Sequence, residues 1–122
     1  MVFLDHPYTI TREHADLYVE QVGPQEAPVV FYLHGGPGYS SHSFRDLIGD
    51  DLENYRMIYA DQRGAGRSYS DAPFGLVTLA DDVRVILETL EIERANLLAH
   101  GFGAQIAVLA CLSKNMPIEF GE

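Results

Sequence analysis

The chain has 122 residues, 47% of them apolar and 21% charged, which suits one soluble globular domain with a single core and is too short for two. Eight basic against 18 acidic side chains give a net charge of −10, the wrong sign for tracking nucleic-acid phosphates or an anionic membrane surface, so neither is expected as a partner. A lone cysteine, Cys111, cannot close an internal disulfide, no signal peptide opens the chain, and no apolar run approaches the roughly 18 residues of a membrane span. A reducing, cytoplasmic setting is the expectation.

Along the chain, "YTIT" (residues 8–11) and "LYVEQV" (17–22), separated by the polar "REHAD", read as a hairpin. "VVFYL" (29–33) is a continuous apolar run of the kind found in strands covered on both faces. It ends in "HGGPG", after which a helix is expected from Ser40 or Ser41, with Phe44, Leu47 and Ile48 on its inner face. "MIYA" (57–60) reads as the next strand and is followed by the turn-rich "DQRGAGRSYSDAPFG". Thr78 and Asp81 resemble a capping box, and Leu79, Val83, Ile86, Leu87 and Leu90 then form one apolar helical stripe. "ANLLA" (95–99) reads as a last buried strand, and residues 102–112 as a helix apolar nearly all round, which includes Cys111 as a small core residue.

An opening hairpin followed by alternating strands and helices predicts an α/β fold, a mostly parallel sheet with helices on both faces. Ligands in such sheets bind beyond the carboxyl ends of the strands. Three glycine clusters obey that rule: "HGGPG" (His34, Gly35, Gly36, Pro37, Gly38), "DQRGAGRS" (61–68) and "AHGFG" (99–103) each follow a predicted strand.

Each cluster suggests different chemistry. In "HGGPG" the glycines let backbone N–H groups approach an anion closely while Pro37 stiffens the loop, as in an oxyanion hole for acyl transfer. "DQRGAGRS" lacks the lysine and spacing of a phosphate-binding loop and reads as a salt-bridged turn beneath the site. "AHGFG" has the small-x-nucleophile-x-small spacing of a nucleophile elbow, with Gly101 where the attacking residue belongs. Elbow nucleophiles sit in a strained backbone conformation that glycine adopts readily. The spacing therefore keeps the turn and drops the nucleophile.

The remaining candidates are weak. Among His6, His14, His34, His42 and His100 no pair has metal-ligand spacing, and with one cysteine no metal site is expected, nor any other cofactor. His34 and His100 lie near the presumed site but read as packing or hydrogen-bonding residues.

"HGGPG" followed by "DQRGAGRS" and then an elbow resembles the proline iminopeptidase family of α/β-hydrolases. The likeness covers essentially the whole chain but only about the first half of a family member. The resemblance implies a serine-type aminopeptidase that releases N-terminal proline from peptides through a serine, aspartate and histidine triad. It implies an oxyanion hole from the backbone N–H groups of Gly36 and Phe102, the nucleophile at position 101, and Asp61, Arg63 and Arg67 as supports alongside His34, Gly35, Pro37 and Gly38. It also implies that the triad's acid and base, the cap domain and the last strands fall outside these 122 residues, the whole chain being the N-terminal portion of one hydrolase domain. Without nucleophile, acid or base, the chain as it stands is not expected to turn over. The alternatives are a non-catalytic binding protein with a hydrolase-like pocket and a fragment with no function of its own. The expected partner of the completed site is a peptide or small molecule with a free N-terminus, and an unpaired edge at "ANLLA" is expected to favour self-association.

Overall fold

The computed structural model describes residues 2–35 and 40–112, without the side chain of Ser43. Two long strands, β1 (Phe3–Arg12) and β2 (Ala15–Pro24), form an antiparallel hairpin that pairs in full from Phe3 with Pro24 to Arg12 with Ala15. The hairpin is much longer than its apolar segments suggest. Only Glu13 and His14 lie outside the pairing, and His14 takes the left-handed position of the turn at φ 67°.

Next come β3 (Val29–Leu33), α1 (His42–Ile48), a 3₁₀ turn (Gly49–Leu52) and β4 (Arg56–Ala60), followed by a two-residue strand, β5 (Tyr69–Ser70). The chain continues through α2 (Leu76–Thr89), β6 (Asn96–Ala99) and α3 (Gly103–Leu112). Sheet order is β1-β2-β4-β3-β6, with β5 on the end of β2. The sheet is mixed: β4, β3 and β6 are mutually parallel, whereas β1, β2 and β5 add antiparallel pairings. A tight turn can return a strand only antiparallel, while the helical crossovers keep the centre parallel.

Strand alternation divides the core between the two faces. Phe31 and Leu33 of β3 and Ile58 and Ala60 of β4 pack with Leu79, Val83, Ile86 and Leu87 of α2 and Ile106 and Ala110 of α3. Tyr32, Met57 and Tyr59 point the other way, toward Phe44 of α1 and Leu52, with the rings of Tyr32 and Phe44 stacked at 3.9 Å. Neighbouring strands β3 and β6 thus feed helices on opposite faces. A crevice opens between their carboxyl ends for that reason, and ligands of open α/β sheets bind at such a switch point.

Three helix expectations change. In α1 only Phe44 packs inward; Leu47 is 79% and Ile48 40% exposed, because the helix ends after seven residues and hands over to the 3₁₀ turn. α2 begins at Leu76 behind Gly75, so Thr78 lies inside the helix and no capping box forms; Asp81 instead pairs with Arg84 and Arg12. α3 buries Gly103, Ile106 and Ala110 but exposes Val108 and Leu112, since no described element packs on its outer face; Cys111 is half-buried there.

Candidate active site

The elbow is built by the junction of β6 with α3. The His100 N–H donates to the Leu33 carbonyl at 3.0 Å, which carries the β3–β6 pairing one residue past the strand and aligns the two loops. Gly101 then turns the chain at φ 56°, a left-handed conformation that side-chain-bearing residues adopt only at a cost. Gly103 and Ala104 donate back to the carbonyls of His100 and Gly101 as α3 begins.

Two glycines of the elbow do different work. A Cβ at Gly103 would collide with the Leu33 carbonyl oxygen, so this position needs glycine for α3 to start against the end of β3. A Cβ at Gly101 would meet nothing nearer than Gly35 Cα at 3.6 Å, which is ordinary contact. The elbow has its full backbone shape, with room for a side chain and none present.

Opposite lies the loop after β3. Gly35 packs against the elbow so closely that a Cβ there would sit 2.6 Å from His100 Nδ1. Gly36, Pro37 and Gly38, three members of the expected oxyanion loop, lie outside the described residues. Phe102, the other expected donor, follows Gly101 directly at the head of α3 and is half-buried.

His34 holds this loop to the next one. It is buried, its Nε2 accepts the Gln62 N–H at 2.9 Å, and its Nδ1 lies 3.1 Å from the Gly35 carbonyl. A carbonyl only accepts and a backbone N–H only donates, so the ring is neutral with its proton on Nδ1. The Gln62 side chain closes the clasp by donating to the His34 carbonyl at 2.7 Å. Burial pushes the His34 pKa below its ordinary value, outweighing the opposing effects of the Gly35 hydrogen bond and the Asp61 charge. With both ring nitrogens engaged in backbone contacts, His34 is a positioning residue and not a free general base.

"DQRGAGRS" is a double ion-pair platform. The fully buried Asp61 carboxylate accepts from the Ser41 N–H and hydroxyl, both at 2.9 Å, and from the backbone N–H and Nε of Arg67, the latter at 2.6 Å. Burial alone would push its pKa up, but hydrogen bonds from Arg67 and Ser41 prevail and hold it below the ordinary carboxylate range. Arg67 also reaches Glu20 at 2.8 Å and lies 4.0 Å over the Tyr18 ring. Arg63 points elsewhere, in a two-pronged pair with Asp82 of α2 at 2.9 and 3.0 Å, and Asp82 takes a further bond from Arg12.

The three expected supports therefore do not form one group. Asp61 and Arg67 come together and bind the start of α1, whereas Arg63 anchors the same loop to α2. Sequence reasoning missed the supports' partners Glu20, Ser41 and Asp82, and Gln62, the partner of His34. Glu20 and Asp82 did carry a signal, an acid inside an apolar strand and an acid on the inner face of an apolar stripe. Ser41 was assigned to helix capping, yet its hydroxyl serves Asp61. Gln62 carried no signal, since its role rests on contact with His34. Among the described residues no group of His, Cys, Asp or Glu is arranged to hold a metal ion, and no helix is long and apolar enough to cross a membrane.

The same architecture recurs in known proteins. A crystal structure of a proline iminopeptidase-related protein from Thermus thermophilus is 40% identical and superposes with a TM-score of 0.86, covering 94% of this chain and 42% of that one. The magnesium-chelatase 30 kDa subunit of Rhodobacter capsulatus is 36% identical over 104 residues, 84% of this chain and 36% of that protein. Proline iminopeptidase from Xylella fastidiosa strain Temecula1 is 32% identical over 107 residues, 85% of this chain and 34% of its own length. The chain thus spans little more than a third of these curated relatives. The family model described as the alpha/beta hydrolase fold matches residues 28–118, from the start of β3 past the elbow and α3. With an elbow at the β6–α3 junction, Gly35 packed against it and this match over most of its length, the chain belongs to the alpha/beta hydrolase fold family.

Proposed function

We propose that the chain carries the oxyanion side of a proline iminopeptidase-like site and, with glycine at 101, holds a substrate carbonyl or carboxylate without attacking it. The observation that carries this reading is the elbow itself: Gly101 at φ 56°, faced by Gly35 and followed by Phe102 at the head of α3. In the reaction of such a site, the N–H groups of Phe102 and Gly36 donate to the oxygen that gains charge as the carbonyl becomes tetrahedral. Donors of this kind are worth on the order of 10²-fold to 10³-fold in rate each. Attack requires a hydroxyl at 101 and a base to take its proton, and His34 is not that base because its ring is committed to Gly35 and Gln62.

The test compares the protein expressed from its full coding sequence with its Gly101→Ser variant, using an L-prolyl arylamide. Expected are saturable binding to both proteins and arylamine release by the serine variant alone. A folded serine variant that neither binds nor cleaves reduces the reading to a shared fold.

A second reading, a binding protein that never hydrolyses, is favoured by the Rhodobacter relative, which is named as a chelatase subunit and not as a hydrolase. Binding of the prolyl ligand by both proteins with no cleavage by the serine variant selects it.

A further inference from the structure

On the face of the sheet that carries α1 lies a pocket of about 150 Å³. Its apolar side is formed by Phe3 of β1, Val22 of β2, Met57 of β4 and Leu52 of the 3₁₀ turn. Its polar side is formed by Tyr59 of β4 with Gly49, Asp50 and Glu53, where α1 has ended. Among the described residues none from the loops after β3, β4 or β6 lines it, so the pocket is separate from the elbow.

Tyr59 points to a ligand. The residue is only 1% exposed, yet its hydroxyl has no hydrogen-bond partner among the described residues, whereas buried phenol hydroxyls ordinarily have one. Every fully enclosed side-chain polar atom that is described does have a partner, so the Tyr59 hydroxyl opens onto the cavity its residue lines. Gly49 keeps that opening clear, because a Cβ there would stand 3.6 Å from the hydroxyl oxygen. The charges in the wall are unevenly matched. The Arg45 guanidinium is held by Glu20 and Asp5, while the exposed carboxylates of Asp50 and Glu53 have no ion-pair partner among the described residues. An anion would meet these two carboxylates uncompensated; a cation would meet them as counter-charges.

We propose that this pocket is a binding site for a compact primary ammonium ion carried on a single ring, with the ammonium at Tyr59, Asp50 and Glu53 and the ring on Phe3, Val22, Leu52 and Met57. An ammonium has three N–H donors and no acceptor, which suits a hydroxyl oxygen flanked by carboxylates. The size follows from the volume, since an apolar cavity of about 150 Å³ takes benzene and little more. Nothing in the proposal uses Gly101 or its neighbours, so it stands or falls apart from the oxyanion reading.

The ¹⁵N-labelled protein, expressed from its full coding sequence, is titrated with benzylamine at about pH 7, where the amine is protonated. Benzyl alcohol and benzoate supply the neutral and anionic forms of the same ring. Expected are saturable amide shifts at Gly23, Gly49, Asp50 and Glu53 with benzylamine, roughly tenfold weaker binding of benzyl alcohol and no saturable response to benzoate, as loss of a charge-assisted hydrogen bond implies. Tyr59→Phe, which removes only the hydroxyl, and the paired change Asp50→Asn with Glu53→Gln are each expected to weaken benzylamine binding about fivefold to tenfold. The paired change touches exposed side chains and decides the matter should Tyr59→Phe not fold. Asp16→Asn, at an exposed acid near the hairpin turn, is expected to leave the titration unchanged. Shifts centred on Gly101 to Gly103, no saturable shift, equal affinity for benzyl alcohol and benzylamine, or unaltered affinity in the paired variant would each overturn the proposal.

Discussion

At position 101 the backbone sits at φ 56° with open space where a side chain would go, whereas at Gly103 a Cβ meets the Leu33 carbonyl. The two glycines consequently have different tolerances. Gly101→Ala or Gly101→Ser costs about 1 to 3 kcal/mol through backbone conformation alone. Gly103→Ala costs about 3 kcal/mol or more, since α3 must shift away from β3. Urea unfolding of the variants checks the order, which reverses if the elbow backbone is not as described. His34 makes a second prediction. Its folded pKa is lowered, so between that value and about 6.5 the unfolded chain binds more protons, and stability rises with pH across this window. On acidification the contribution is fully present above about pH 6.5 and is lost as pH falls toward the folded value. His34→Gln is expected to flatten this part of the stability profile, measured by thermal unfolding between about pH 7 and pH 5.

Elements are joined to the site chiefly by buried charge. Arg63 and Asp82, each 7% exposed at the side chain, tie the loop after β4 to α2. Removing one partner leaves the other ion buried without its counter-charge, so Asp82→Ala is expected to cost about 3 to 5 kcal/mol. The paired change Arg63→Met with Asp82→Leu is expected to recover most of that loss, because well-packed apolar residues can replace a buried ion pair at little net cost. A double-mutant cycle in urea measures both. At this scale the sequence was legible wherever periodicity follows burial: β3 was read to the residue, and β4, β6 and α2 to within a few. The hairpin strands were read short, because the polar ends of β1 are held by backbone pairing to β2 and leave no apolar pattern. β5 was not read at all, since its two residues are a strand only by virtue of Ala15 and Asp16 alongside. The cap at Thr78 failed for a related reason: local chemistry permits it, but Arg12 and Arg84 claim Asp81.

At the scale of the whole molecule, β6 is the outermost strand of the sheet among the described residues, and these leave Val108 and Leu112 of α3 62% and 77% exposed. A strand edge with no neighbour among the described residues, beside an apolar helix face, is expected to promote association of these 122 residues as an isolated chain. Sedimentation velocity is expected to show concentration-dependent species, and Val108→Lys to raise the monomer fraction. A single compact monomer at all concentrations would refute this. The sequence by itself determined the α/β class, the placement of three glycine clusters at strand ends and the absence of a nucleophile at 101. These are local properties, written in periodicity, spacing and residue type. Only the tertiary structure decided that Arg63 leaves Asp61 for Asp82, that His34 is spent on Gly35 and Gln62, and that Gly49 and Tyr59 line one pocket. Each of those depends on which segments the sheet order brings side by side, and contact between residues far apart in the chain leaves no periodic trace in the sequence.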